Sequence, residues 1–239
     1  KRVQFVDGNR IEYVYTATGE LLKKRTVNCL VPQELAYGTD SDVDASLLDA
    51  VDSTLYAGNV VYRGSEQTVV RFDGGYAVVG NDSTDTAYHF MITDYQGNVR
   101  AVYDEEGVME QSNSYYPYGL GTDRGMNQGL QPYKYNGKEL DRMHGLDMYD
   151  YGARMYDPAA GRFTSVDPMY RKYYHISPYA YCGGDPVNCI DINGDTIFVV
   201  AGLNLYAFNY NTKSFTPPTN CHDCGSNIEM DLKNVSDAL

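Results

Sequence analysis

Cys221-His222-Asp223-Cys224 places two thiols and an imidazole at the spacing of half a zinc site. A structural zinc takes four ligands, and the chain has neither a second CxxC nor an HxxxH. The expectation is therefore no cofactor. If zinc is bound, its ligands are Cys221, His222 and Cys224; dithiol redox chemistry, or a tail of free or paired thiols, are the other readings. Arg154 and Arg162 flank Tyr156-Asp157-Pro158. A guanidinium carries five donors, so either arginine can tie a turn carboxylate to backbone carbonyls. His144 and His175 have no Ser or Cys nucleophile at a recognisable spacing and read as packed or solvated side chains. Asp40, Asp42, Asp44, Asp49 and Asp52 lack the glycine and closing glutamate of a calcium loop. They read as an acidic surface loop with one helical turn.

The elements that must hold these groups are suggested by composition. Among 239 residues there are 24 Tyr and 23 Gly against 7 Phe and no Trp. Tyr suits strands buried on one side and wet on the other, and Gly suits the tight turns between them. A formal net charge of -13 argues against a nucleic-acid surface, which needs clustered Lys and Arg. No apolar run reaches the length of a membrane-spanning helix. Lys1-Arg2-Val3-Gln4-Phe5 lacks the plan of a signal peptide and reads as a start inside a longer chain. Five cysteines cannot all pair within one chain, so they do not fix a compartment.

Three segments share one cassette. Ile11, Tyr13 and Tyr15 alternate ahead of a turn at Gly19. The stretch from Tyr56 to Tyr76 has turns at Gly58-Asn59 and Asp73-Gly74-Gly75. Tyr88, Phe90 and Ile92 share one face ahead of Asp94-Tyr95-Gln96-Gly97, and Tyr103 to Gly107 makes the next turn. Each unit is a strand ending in Asp or Thr, two residues, Gly, and a return strand. Single hairpins are marginal in water, so stacking them into a continuous antiparallel sheet is expected to bury the Tyr and Val faces. Tyr88, Phe90 and Ile92 should thus pair antiparallel with a strand holding Val99 and Val102.

The most specific stretch begins Tyr135-Asn136-Gly137-Lys138-Glu139 and continues as Tyr149-Asp150-Tyr151-Gly152-Ala153-Arg154-Met155-Tyr156-Asp157-Pro158. Gly161-Arg162-Phe163-Thr164-Ser165-Val166-Asp167-Pro168 follows, then Tyr179-Ala180-Tyr181-Cys182 and Asp185-Pro186-Val187-Asn188-Cys189-Ile190-Asp191. This resembles the core segment of the bacterial Rhs/YD-repeat family, and Thr93-Asp94-Tyr95-Gln96-Gly97 with Tyr103-Asp104 is similar to that family's YD repeats. The resemblance covers roughly residues 1 to 195. It implies an all-β fold in which antiparallel YD-repeat hairpins form a strip, part of a spiral shell, closed by a core plug of mixed loops and short helices. The implied division is 1–112 for the hairpin sheet, 113–195 for the core and 196–239 for a variable C-terminal tail. Arg154, Tyr156, Asp157, Arg162 and Asp167 would then be the structural core of the plug.

In some relatives of this type the core cuts its own chain through two aspartates. Matched onto this sequence they are Asp167 and Asp191, with Tyr170 where the first motif has Gly, and Ile192 and Asp195 where the second has Pro and Leu. Paired carboxylates can divide the roles of acid and base in amide hydrolysis, and Asp167 and Asp191 can equally cap turns. The resemblance implies a structural shell and plug, secreted or on the cell surface, enclosing or presenting a variable C-terminal effector. An aspartyl autoprotease is the one enzymatic alternative; a carbohydrate-binding adhesin, with exposed Tyr rows stacking on glycans, is another. Expected partners are the remainder of its own Rhs chain and the effector, with an immunity protein or a glycan as further candidates. No nucleic acid and no membrane span are expected.

Overall fold

Two sequence cues, the Gly turns and the alternation, lead to a chain made of strands. The computed structural model describes residues 1–38, 42–64, 67–80, 86–172, 174–201, 204–209 and 214–216. Among these there is no α-helix, and no helix long and apolar enough to cross a membrane. Ten strands form one antiparallel meander in chain order. They are β1 (Arg2–Gln4), β2 (Arg10–Tyr15), β3 (Leu21–Cys29), β4 (Leu48–Ala57), β5 (Val60–Arg63), β6 (Gln67–Phe72), β7 (Gly75–Val79), β8 (Thr86–Thr93), β9 (Val99–Tyr103) and β10 (Met109–Ser112). The pairing expected for the third repeat is present: Phe90 faces Tyr103, Met91 faces Val102 and Ile92 faces Ala101.

One turn geometry recurs. The N–H of Asp94 donates to the Asn98 carbonyl (3.1 Å) and the N–H of Gly97 returns to the Asp94 carbonyl (2.9 Å). Asp104 and Gly107 repeat this with Val108, and Thr16 and Gly19 with Glu20. Side chains reinforce it, since Asp94 Oδ1 accepts from the N–H groups of Gln96 (3.0 Å) and Asn98 (3.1 Å). Gly97 sits at φ +78, a left-handed backbone that glycine adopts without the penalty of a Cβ.

Two smaller sheets follow. β11 (Leu140–Asp141), β12 (Met148–Asp150), β13 (Met155–Asp157) and β14 (Arg162–Phe163) form one, and β15 (Cys189–Asp191), β16 (Ile197–Ala201), β17 (Asn204–Asn209) and β18 (Ser214–Thr216) the other. Single 3-10 turns stand before β11 at Tyr135–Gly137, between β11 and β12 at Met143–Gly145, and between β14 and β15 at Tyr170–Lys172 and Cys182–Gly184. A cluster of aromatics centres this region: Tyr135, Tyr149, Tyr151, Tyr156, Phe163 and Tyr181 are all buried. Their rings meet mostly edge-on or tilted, as between Tyr151 and Phe163 at 5.7 Å and 89°.

The face buried in the large sheet is not the one expected. Tyr88, Phe90 and Ile92 are 45%, 45% and 55% exposed. The protected face carries Val61, Val69, Tyr76, Val99 and Val102, with Leu130 packed against it. The physical reason is that a sheet buries the face on which another layer lies, whatever the hydrophobicity of the other. Here the segment after β10 supplies that layer. The acidic stretch holds its helical turn at Ala45–Leu47, capped by Asp44, but Leu48 to Asp52 belongs to β4 rather than to a loop.

Candidate functional site

Polar contacts fasten the layer to the sheet. Tyr13 donates to Asp141 Oδ2 (2.6 Å), Tyr15 to Asp150 Oδ2 (2.8 Å) and Tyr56 to Glu139 Oε2 (2.8 Å). Lys24 lies between Glu139 and Asp141, 3.6 Å from the latter. Burial and these carboxylates raise the phenol pKa values of Tyr13, Tyr15 and Tyr56, so the hydroxyls stay donors at any ordinary pH. At the turn between β8 and β9 Gln96 Nε2 donates to the Pro186 carbonyl (2.7 Å), and Asn136 N–H donates to Asn98 Oδ1 (2.8 Å). Asn136 Oδ1 in turn accepts from Tyr151 (2.8 Å) and Tyr181 (2.6 Å), coupling the repeat turn to the aromatic cluster. Sequence reasoning placed Tyr13, Tyr15 and Gln96 in repeats and Asn136, Glu139, Asp150, Tyr151 and Tyr181 in the family-like stretch but missed their pairing, because the partners lie far along the chain.

At the base of the aromatic cluster stands Arg154, 2% exposed, on the turn between β12 and β13. The turn is set by Gly152 N–H donating to Asp150 Oδ1 (2.8 Å) and Tyr151 N–H donating to the Arg154 carbonyl (3.1 Å). Arg154 Nη2 donates to Asp167 Oδ2 (3.0 Å) and lies 3.5 Å from Asp191 Oδ2. Nη1 donates to the Pro178 carbonyl (3.1 Å), Nε donates to the Gly194 carbonyl, and the guanidinium covers the Phe163 ring at 3.6 Å.

The structure thus brings Asp167 and Asp191, 24 positions apart, onto a single guanidinium nitrogen. Asp167 Oδ1 caps its own turn by accepting from Met169 N–H (2.6 Å). Asp191 Oδ1 accepts from the N–H groups of Asn193 (3.1 Å), Gly194 (2.6 Å) and Asp195 (3.2 Å), while its Oδ2 is buried with no hydrogen-bond partner. Burial pushes the Asp191 carboxyl up to about 6, against the pull of the Gly194 N–H and Arg154. Gly194 is required: φ is +77, and a Cβ would meet Tyr151 Cβ at 3.0 Å and the Arg154 nitrogen at 3.1 Å.

Tyr156 is fully buried and donates to the Tyr118 carbonyl (2.7 Å), and Asp157 Oδ1 caps a turn through the N–H groups of Ala159 (2.9 Å) and Ala160 (3.0 Å). Arg162 is exposed and stands apart from the Arg154 cluster, its backbone pairing with Asp157 and Ala180. His144 packs edge-on against Phe5 and His175 is exposed. Cys221, His222 and Cys224 lie outside the described residues. Among the described residues no group of three His, Cys, Asp or Glu side chains could hold a metal ion.

Residues 64–187, just over half of the chain, match the Teneurin YD-shell family. The chain belongs to that family. As a YD-shell protein it is the Rhs/YD-repeat type that the sequence resembles, and it is a structural shell module with the all-β, antiparallel fold of such shells. Salivary gland surface protein 1 of Aedes aegypti is 38% identical over 109 residues, 45% of this chain and 3% of that protein. A crystal structure of TcdB2-TccC3-Cdc42 superposes with a TM-score of 0.60 at 20% identity, over 82% of this chain and 10% of that one. A Tc holotoxin pore of Photorhabdus luminescens carrying a TccC3 mutation gives 0.60 at 20% identity, over 91% and 10%. The YD-shell chain therefore spans a small fraction of the length of each relative. At such identity the structural likeness speaks for the fold.

Proposed function

We propose that this chain is a closing section of a YD-repeat shell that encloses or presents a variable effector polypeptide. In this reading residues 1–112 are wall, 113–195 are the plug seated on its inner face, and 196–239 are a variable tail. The protein is secreted or carried at the cell surface, and its partners are the remainder of its own chain and the effector. One observation carries the proposal: Tyr13, Lys24 and Tyr56 of the wall bond Glu139 and Asp141 across the layer boundary. Partly buried, charge-assisted bonds fix a register between layers that apolar packing alone would leave free to slide. The test is protease protection in the natural full-length chain. Polypeptide following the core should resist digestion in the intact protein and become sensitive when Tyr13→Phe and Tyr56→Phe are combined. Digestion at the same rate with and without an intact wall would reject enclosure.

A second reading is favoured by the convergence of Asp167 and Asp191. Two carboxyls on one guanidinium, that of Asp191 pushed up to about 6 by burial, stand with a carbonyl held by Arg154 Nε and can supply an acid, a base and a polarised amide. Single-turnover self-cleavage near Gly194-Asp195 would follow from it. The paired strands β15 and β16 would hold the two products together after the cut. Intact mass under denaturing conditions decides: two fragments that revert to one 26.7 kDa species on Asp191→Asn support cleavage, and a single species in both rejects it.

A further inference from the structure

Between the protected face of the large sheet and the segment leading into β11 lies a cavity of about 300 Å3. The buried Thr26 and Thr54 line it from the sheet, and Leu130, Pro132 and Lys134 from the layer above. Lys134 is 3% exposed and its Nζ is buried with no hydrogen-bond partner. A buried ammonium is ordinarily paired, because its charge is otherwise uncompensated. The backbone leaves Lys134 little choice of position: its carbonyl accepts from Val99 N–H (3.0 Å) and Gly137 N–H (3.2 Å), and its N–H donates to the Lys138 carbonyl (2.8 Å).

Besides Lys134, the charged groups facing the cavity are Lys24, Asp52, Arg63, Glu139, Asp141 and Arg142. Glu139 and Asp141 are taken up by Lys24 and by the wall tyrosines, and Asp52 Oδ1 accepts from the Ser53 N–H. Arg142 pairs with Asp147 outside the cavity at 3.8 Å, and none of the lining carboxylates bonds Lys134 Nζ, so that amine is left without a counter-charge of its own. Burial, with the Arg142 charge beside it, pushes the Lys134 amine down to about 7.

We propose that this cavity is a binding site for a small carboxylate ligand, whose oxygens take the unpartnered Lys134 Nζ as donor with Arg63 and Arg142 completing the positive field. The volume is at the small end of ordinary ligand cavities, roughly 300–1,000 Å3, and suits a few-carbon acid rather than a nucleotide. A bound carboxylate favours the charged amine, so binding above about pH 7 draws a proton onto Lys134. His89 lines the adjoining cavity and not this one.

Calorimetric titration of the full chain with succinate tests the site. The wild type should bind near pH 6 and about tenfold or more weakly near pH 8.5, with proton uptake at the higher pH, as a group titrating near 7 requires. Lys134→Met, which fills the space without charge, should give no binding heat while keeping a denaturation midpoint at or above that of the wild type. Absence of binding by the wild type near pH 6, equal binding by Lys134→Met, or wild-type affinity independent of pH would each overturn the proposal. The pH series decides even if the variant does not fold.

Discussion

Arg154 is the residue on which the candidate site depends, because one buried guanidinium serves two carboxylates and two carbonyls. Arg154→Ala would strand both aspartates without a cation, and breaking a buried pair from one side costs on the order of 3 kcal/mol or more. Arg162→Ala removes an exposed side chain and should cost less than about 0.5 kcal/mol. Chemical denaturation of the two variants should show well-separated midpoints; equal midpoints would mean that Arg154 is not tying the turns together. Asp191 adds a pH signature. Its folded pKa, about 6, is above the unfolded value, so its contribution to stability is full below about pH 4 and is lost as pH rises through 6. The loss is on the order of 3 kcal/mol, and Asp191→Asn should remove this component from the wild-type stability profile. Arg154, Asp167 and Asp191 were visible in the sequence through the family-like wording around them. That Arg162 would stand apart was not, because Arg154 and Arg162 sit in similar turn contexts and only the fold places one inside the cluster.

At the scale of elements, the strands of the wall were legible where a turn announced them. Gly58-Asn59, Asp73-Gly74 and Asp94 to Gly97 each join two strands, and in the last of them Asp94 Oδ1 holds the turn. The strands β1 and β10, and the two- and three-residue strands β11 to β14, were not legible, since too few residues alternate to show a period. The orientation of β8 was misjudged for a related reason. Alternation shows that two faces differ, while which one is covered depends on a layer contributed from residues after Ser112. Substitutions can separate the faces. Tyr13→Phe deletes a bond to the buried Asp141 carboxylate and should cost about 1.5–3 kcal/mol. Phe90→Ser on the exposed face should cost under about 1 kcal/mol, in line with surface substitutions. Thermal or denaturant unfolding of both variants checks the order, and a costlier Phe90→Ser would mean that the outer face is covered.

For the whole molecule, the large sheet and the region after it are joined across a polar boundary, with the aromatic cluster and Arg154 on one side and Tyr13, Tyr15 and Tyr56 on the other. Val99 N–H donating to the Lys134 carbonyl and Gln96 reaching the Pro186 carbonyl show why neither layer satisfies its buried polar groups alone. Such coupling predicts joint opening of wall and plug. Amide hydrogen exchange on the intact chain tests this most directly. The backbone amides of Val99 and Val102 in the wall, and of Tyr151, Asp167 and Gly194 in the plug, should exchange with one common opening free energy, which Tyr13→Phe lowers for both layers together. Rapid exchange throughout residues 113–195 while β2 to β9 stay protected would contradict it, and would leave a wall with nothing seated on its inner face.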